Sequence, residues 1–248
     1  MELIHEPFDF NGQLKTIDGI LAVSADKVQK YNYIPSQDEI GDLRLFVAVC
    51  SAVHLRAKLK KEIRYNEFGQ IENSNQTTEL TFRQRVMVQQ SFINIMREHG
   101  KCFDFMFYGD EMTCILDTTF QNEIDELLEQ LAKVNSMMNI LSKKSQLAGL
   151  SALEWGMGVH YGNSFVAVQR ILSNDTRFNW SGSVFQLARF LSEKAIDNAP
   201  NTIYSSDVFY NNLKDKYKEL MRKDTDNIYK ANIINKPIKD WQTENLDK

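Results

Sequence analysis

The sequence is poor in the residues that mark several protein classes. Three cysteines, Cys50, Cys102 and Cys114, in 248 residues form no CxxC pattern, and four histidines are too few to suggest a zinc site. The cysteines read as small core residues of a protein kept in a reducing compartment. Four prolines and eleven glycines exclude a collagen-like or linker-rich chain. No apolar run approaches the ~20 residues of a membrane span, and the first residues, MELIHEPFDFN, have neither a basic start nor an apolar segment. The expectation is a cytoplasmic protein with no membrane partner. A net charge of −4 gives no broadly basic surface, so a nucleic-acid partner is not expected. Phosphate chemistry, if present, has to be local or use metal ions.

What is present is an ordinary globular composition, 43% hydrophobic and 25% charged, in alternating segments. The apolar run 17–25, IDGILAVSA, reads as a buried strand ending at Asp26. Pro35-Ser36 opens a helix expected over 38–63, with apolar residues at helical spacing and a basic tail, RAKLKKEIR. Residues 65–79 read as a polar surface loop, and 80–98 as a helix stopped by Gly100. The runs 102–108 and 112–116 bracket Gly109-Asp110 as a β-hairpin. A richly amphipathic helix follows over 122–144. LEWGMGVHYG and SFVAVQRI are expected to form a second hairpin turning at Gly162-Asn163. The remainder reads as a helix over 183–195, a strand over 202–205, a helix over 206–222, a strand over 227–234 and a fraying polar tail. Hairpins and helices in this order predict an α+β fold with one mixed, mostly antiparallel sheet packed by helices.

Asp26 and Asp110 are the notable pair. If the first strand lies beside the first hairpin, their carboxylates converge at one end of the sheet, a donor set for Mg²⁺ or Mn²⁺ with phosphates as co-ligands. A strand-ending cap and a Gly-Asp turn explain the same two residues without any function.

The order of segments resembles the class III nucleotidyl cyclase domain, a ferredoxin-like palm. The pieces that carry the resemblance are ILAVSADKVQKY, FMFYGDEMTCIL, WGMGVHYGNSFVAV and FNWSGSVFQLARFL, spread over roughly 17–234. It implies an N-terminal extension at 1–16, a catalytic domain at 17–236 and a polar tail at 237–248. It also implies a homodimer with composite active sites and two Mn²⁺ or Mg²⁺ ions, held by Asp26, Asp110 and the backbone carbonyl of Lys27. Arg189 matches the arginine that stabilises the transferred phosphoryl group across the dimer interface.

The departures matter as much. The ribose-orienting asparagine falls on Phe185, one base-reading position on Met106, and the other at Phe178 or Asn179, with Trp180 nearby. A purine edge there lacks hydrogen-bond partners, each worth about 1–3 kcal/mol when buried and unpaired. The combination most resembles the bacterial pyrimidine cyclases of the Pycsar anti-phage systems, whose product activates a separate effector. That resemblance implies a pyrimidine nucleoside triphosphate as substrate, UTP first and CTP as the alternative.

Tyr31 is a candidate for substrate contact or packing, and Arg177 for phosphate or base contact or a solvated charge. Lys230, with Lys236 as competitor, is a candidate phosphate ligand. His160 and the methionines read as structural. FYGDEM also echoes the diguanylate-cyclase hairpin, but that family supplies no segment like SGSVFQLARFL. A degenerate cyclase fold that binds nucleotide without turnover is the remaining alternative.

Overall fold

A strand buried on both faces needs no polar side, so its apolar residues run together and its sequence mimics a helix. That is the case for VAVCSAVHL: residues 46–53 and Leu55 of the central strand are almost all buried. The computed structural model describes residues 28–40, 45–58, 64–65, 71–72, 75–172 and 175–247, together with Lys15 and Asp18.

In chain order the elements are β1 (Gln29–Tyr31), α1 (Gln37–Ile40), β2 (Leu45–Lys58), β3 (Arg64–Tyr65), β4 (Ile71–Glu72), α2 (Asn75–Arg97), β5 (Cys102–Tyr108), β6 (Glu111–Leu116) and α3 (Gln121–Leu147). They continue with β7 (Glu154–Leu172), β8 (Asp175–Ser181), α4 (Ser183–Asn198), β9 (Thr202–Ser206), α5 (Asp207–Asn211), α6 (Asp215–Lys218), β10 (Arg222–Thr225), β11 (Ile228–Ala231) and α7 (Lys236–Asn245). Among the described residues one sheet has the order β10-β11-β9-β7-β2-β6-β5, with β1 beside β2 and β8 beside β7. Among the described strands, only β1 with β2 and β7 with β9 are parallel. The expected α+β architecture with a mixed, mostly antiparallel sheet is therefore present.

Two helical layers cover the sheet. Val53, Leu55 and Ala57 of β2 pack against α2 and α3. The alternate row, Phe46, Ala48, Cys50 and Ala52, packs on the other side with Val184 and Ala188 of α4. The contact with α4 is close because β7 carries glycines: a Cβ at Gly158 would lie 1.9 Å from the Ala188 carbonyl oxygen, and one at Gly156 2.3 Å from that of Ser192. None of the helices among the described residues is long and apolar enough to cross a membrane.

Several expectations are corrected. The helix expected over 38–63 is α1, which ends at Ile40, and then β2. Ser36 and Glu39 cap α1 reciprocally, Ser36 N donating to Glu39 Oε2 at 2.8 Å. The 65–79 loop contains the β3-β4 hairpin and the first turn of α2. No turn occurs at Gly162-Asn163: β7 runs through it because β2 offers partners continuously from Leu45 to Lys58. The hairpin partner of β7 is β8 instead. The helix expected over 206–222 is two short helices followed by β10, the strand expected over 227–234 is present as β11, and the fraying tail is α7. Asn235 caps α7, its side chain accepting from Ile238 N at 3.2 Å, and Asn235 N donates to Ser136 Oγ of α3 at 2.7 Å. Of the strand expected over 17–25 only Asp18 is described, and it is helical.

Candidate active site

The hairpin β5-β6 turns at Gly109, whose φ of 59° suits a residue without Cβ. Antiparallel pairing brings its tip to the C-terminal end of β2: Glu111 lies opposite Arg56, and Ala57 N donates to the Asp110 carbonyl oxygen at 3.1 Å. The strand beside the hairpin is thus β2. Two residues further along the α4-facing row than Ala52, it presents His54 and then Arg56.

The two carboxylates at the tip diverge. Asp110 accepts from Arg85 Nε of α2 at 2.6 Å. Glu111, with a largely buried side chain, faces the α4 layer, where Arg189 Nη2 lies 3.1 Å from Oε2 and Arg56 Nε 3.5 Å from Oε1. Glu193, one turn beyond Arg189, meets Arg56 at 3.1 Å and Arg189 at 3.3 Å. His54 is buried beneath this group, its Nδ1 2.8 Å from Thr113 Oγ1. Burial, reinforced by Arg189 and Arg56, pushes the imidazole down to about 4. It is therefore neutral at pH 7, and its Nε2, 3.7 Å from Glu111, makes no hydrogen bond. Two arginines and two glutamates around a neutral histidine balance in charge. A phosphate arriving here competes with Glu111 and Glu193 for Arg56 and Arg189.

The middle of α4 is charged and its first turn aromatic. Phe178 and Trp180 of β8, Phe103 of β5 and Phe185 of α4 have ring centroids 5.1–6.2 Å apart in edge or tilted contacts. Trp180 Nε1 donates to Asp104 Oδ2 at 2.9 Å, which satisfies the indole and fixes its ring. Met106 and Tyr31 pack on the same apolar cluster. The Tyr31 ring stands edge-on to Phe46 at 5.7 Å, and its buried hydroxyl has no hydrogen-bond partner.

The structure thus brings Met106, Phe178, Phe185 and Tyr31 into one cluster, and Arg189 to its neighbour. Strand alternation separates Phe178 from Asn179 and Arg177, which are exposed and lie on the opposite face of β8. Lys230 is not part of the group. It sits on β11, three strands from β2 and ~14 Å away at strand spacing, where it pairs with Asp224 at 2.7 Å. Lys236 pairs with Asp240 at the start of α7. Asp26 and Lys27 lie outside the described residues; Gln29, which follows them, is in register with Phe46, at the opposite end of β2 from Arg56.

No three His, Cys, Asp or Glu side chains among the described residues are placed to hold a metal ion. Asp110 is committed to Arg85 and Glu111 to two arginines, so the described donor set does not by itself fit two hard cations.

Sequence reasoning missed Glu111, His54, Arg56, Arg85 and Glu193. Glu111 adjoins Asp110, and the signal for His54 and Arg56 was their i, i+2 spacing. It becomes readable only once RAK is taken as the end of a strand rather than the basic end of a helix.

No family model matches the chain. A curated uridylate cyclase from Treponema porcinum is 24% identical over 242 residues, covering 94% of this chain and 80% of that protein. Among solved structures, the adenylyl cyclase CyaB from P. aeruginosa superposes with a TM-score of 0.55 at 15% identity, over 76% of this chain and 95% of that one. The guanylyl cyclase Cya2 does so with a TM-score of 0.55 at 14% identity, over 75% and 94%. At these identities the solved structures speak for the fold, and the curated relative extends the likeness along almost the whole chain. The fold is that of class III nucleotidyl cyclase domains, and in sequence the chain is similar to a curated uridylate cyclase.

Proposed function

We propose that this chain is a pyrimidine nucleotide cyclase that converts UTP to 3′,5′-cyclic UMP and pyrophosphate. The observation that carries the substrate class is the aromatic cluster. Met106, Phe178 and Phe185, the residues at the positions tied to base and ribose recognition, are partly buried apolar side chains packed on a common core. Such a surface offers a purine edge no hydrogen-bond partner and leaves room suited to a smaller base. The curated relative named uridylate cyclase supports UTP over CTP; cyclic CMP is the alternative product. In the reaction the ribose 3′-oxygen bonds to the α-phosphorus, the bond to the pyrophosphate oxygen breaks, and the hydroxyl proton is lost.

Arg189 is the residue proposed to stabilise charge on the α-phosphoryl oxygens, acting in a homodimer on the partner's substrate. To do so it must exchange Glu111 and Glu193 for phosphate. The proposed ions, two Mg²⁺ or Mn²⁺ on Asp26, Asp110 and the Lys27 carbonyl, likewise require Asp110 to leave Arg85. The product is proposed to act in the cytoplasm as a second messenger in anti-phage defence, through a separate effector. The catalytic unit is proposed to span residues 17–236, followed by α7, which packs on α3.

A second reading, nucleotide binding without turnover, is favoured by one specific observation: β2 brings His54 and Arg56, not a carboxylate, to the hairpin tip. Incubation with UTP and Mn²⁺, with product separation and a parallel binding measurement, tests both. Cyclic UMP supports the first, and saturable UTP binding with no product supports the second.

A further inference from the structure

Outside the candidate site, the hairpin holds a pair of sulfurs that the reaction does not use. Cys102 and Cys114 lie on β5 and β6, and their register is not direct. Cys102 pairs with Leu116, and Phe105 pairs with Cys114, with a bulge between Cys102 and Asp104. The extra residue turns Cys102 and Phe105, three apart, onto the same face of the strand, which simple alternation forbids. Both then face the α2 layer, as Cys114 does. The result is a diagonal pair with the sulfurs 3.2 Å apart.

The two thiols have different surroundings. Cys114 is fully buried and Cys102 is half-buried. Cys102 lines a cleft of about 430 Å³ whose walls include Arg97, Asp104, Phe105 and Phe107. The Arg97 guanidinium lies over the Phe105 ring of this cleft, 5.9 Å from its centroid. A sulfur reachable from solvent, a cation beside it and a second sulfur within contact are the features of an oxidisable dithiol.

We propose that Cys102 and Cys114 are a peroxide-oxidised dithiol site, with Cys102 the attacking sulfur and Cys114 the resolving one. The Cys102 thiolate attacks one oxygen of hydrogen peroxide, breaking the O–O bond to give a sulfenic acid and hydroxide, which takes up a proton. The Cys114 sulfur then attacks the sulfenic sulfur, losing its proton and expelling the hydroxyl as water. Overall two thiols and one peroxide give one disulfide and two waters, and the two electrons pass from sulfur to oxygen. Closure asks the sulfurs to move from 3.2 Å to ~2.05 Å. The order of attack agrees with the acidities. The hydrogen bond from Cys114, with help from Arg97, lowers Cys102 against burial and the Asp104 carboxylate, whereas burial and then the neighbouring Cys102 sulfur raise Cys114.

The experiment uses the purified full chain, treated with hydrogen peroxide and then counted for free thiols. The expected result is loss of two of the three thiols, recovered on adding dithiothreitol, with Cys50 retained. Cys50 is the internal control, because burial pushes its thiol up to about 11. Cys102 and Cys114 share one tryptic peptide beginning after Lys101, so the disulfide registers as loss of two hydrogens from that peptide. In Cys114→Ala the sulfenic acid at Cys102 is expected to be trapped by dimedone. Should that variant fail to fold, the wild-type peptide mass decides alone. Three thiols surviving peroxide, oxidation of Cys50 at the same rate, or disulfide-linked dimers in place of the internal bridge overturn the proposal.

Discussion

The first turn of α4 and the middle turns that follow it lie on the same face of the same sheet and are built on opposite physical terms. At the N-terminal end, Phe185 meets Phe178, Trp180 and Met106 in an apolar cluster with one satisfied polar atom, the Trp180 indole nitrogen. One turn on, Arg189 and Glu193 meet His54, Arg56 and Glu111 in a group whose partners are all charged or titratable. The aromatic group holds its shape by packing and stays as it is when solution conditions change. The charged group is neutral only as a whole, half-exposed at Arg189, and open to exchange with an incoming anion. The proposed site, with the base on the aromatic side and the triphosphate on the charged side, would use this asymmetry: a rigid surface for the base and replaceable ion pairs for the phosphates.

Changes that remove one group and spare the other test this contrast. The largest effect is expected from Asp110→Ala, which should take cyclic nucleotide formation below detection while circular dichroism and UTP binding by the aromatic group persist. Gly158→Ala should break both groups together. Its Cβ would sit 1.9 Å from the Ala188 carbonyl oxygen, so α4 has to lift, and a loss of about 3 kcal/mol or more in urea unfolding is expected. Arg189→Ala should lower turnover roughly 10²- to 10³-fold with the fold intact. Mixing it with Asp110→Ala protein should restore part of the activity if the sites are shared between subunits.

Of the two groups, acid should affect the charged one. His54 titrates near 4 in the folded chain, against 6.5 ordinarily. Between these values the unfolded chain binds the proton and the folded one does not, so stability is full above about 6.5 and falls as the pH drops towards 4. At about 1.4 kcal/mol per pH unit the loss attributable to His54 approaches about 3 kcal/mol. Urea midpoints at pH 7 and pH 4.5 should differ less in His54→Gln than in the parent chain. The smallest effect is expected from Trp180→Phe, which removes the hydrogen bond to Asp104 and should weaken UTP binding by about 1 kcal/mol without altering turnover at saturation.

The parts of this molecule legible in its sequence are those where one local signal decides. The Gly109-Asp110 turn, the face of α3 and the stop at Gly100 follow from turn chemistry and helical period. So does the grouping of Met106, Phe178 and Phe185, once the order of segments suggests the fold. The failures share one cause, which is that neighbours in space override local pattern. β2 reads as a helix because both its faces are covered, and Gly162-Asn163 reads as a turn although β2 pairs with the backbone through it. The charged cluster was hidden by the first of these errors, since His54 and Arg56 share a face with Glu111 only on a strand.

The most direct test of the account is incubation of the purified chain with ATP, GTP, CTP and UTP in Mn²⁺, followed by separation of the products. The account predicts cyclic UMP as the main product. Cyclic AMP or cyclic GMP as the main product, or no product from any nucleotide while UTP still binds, would contradict it.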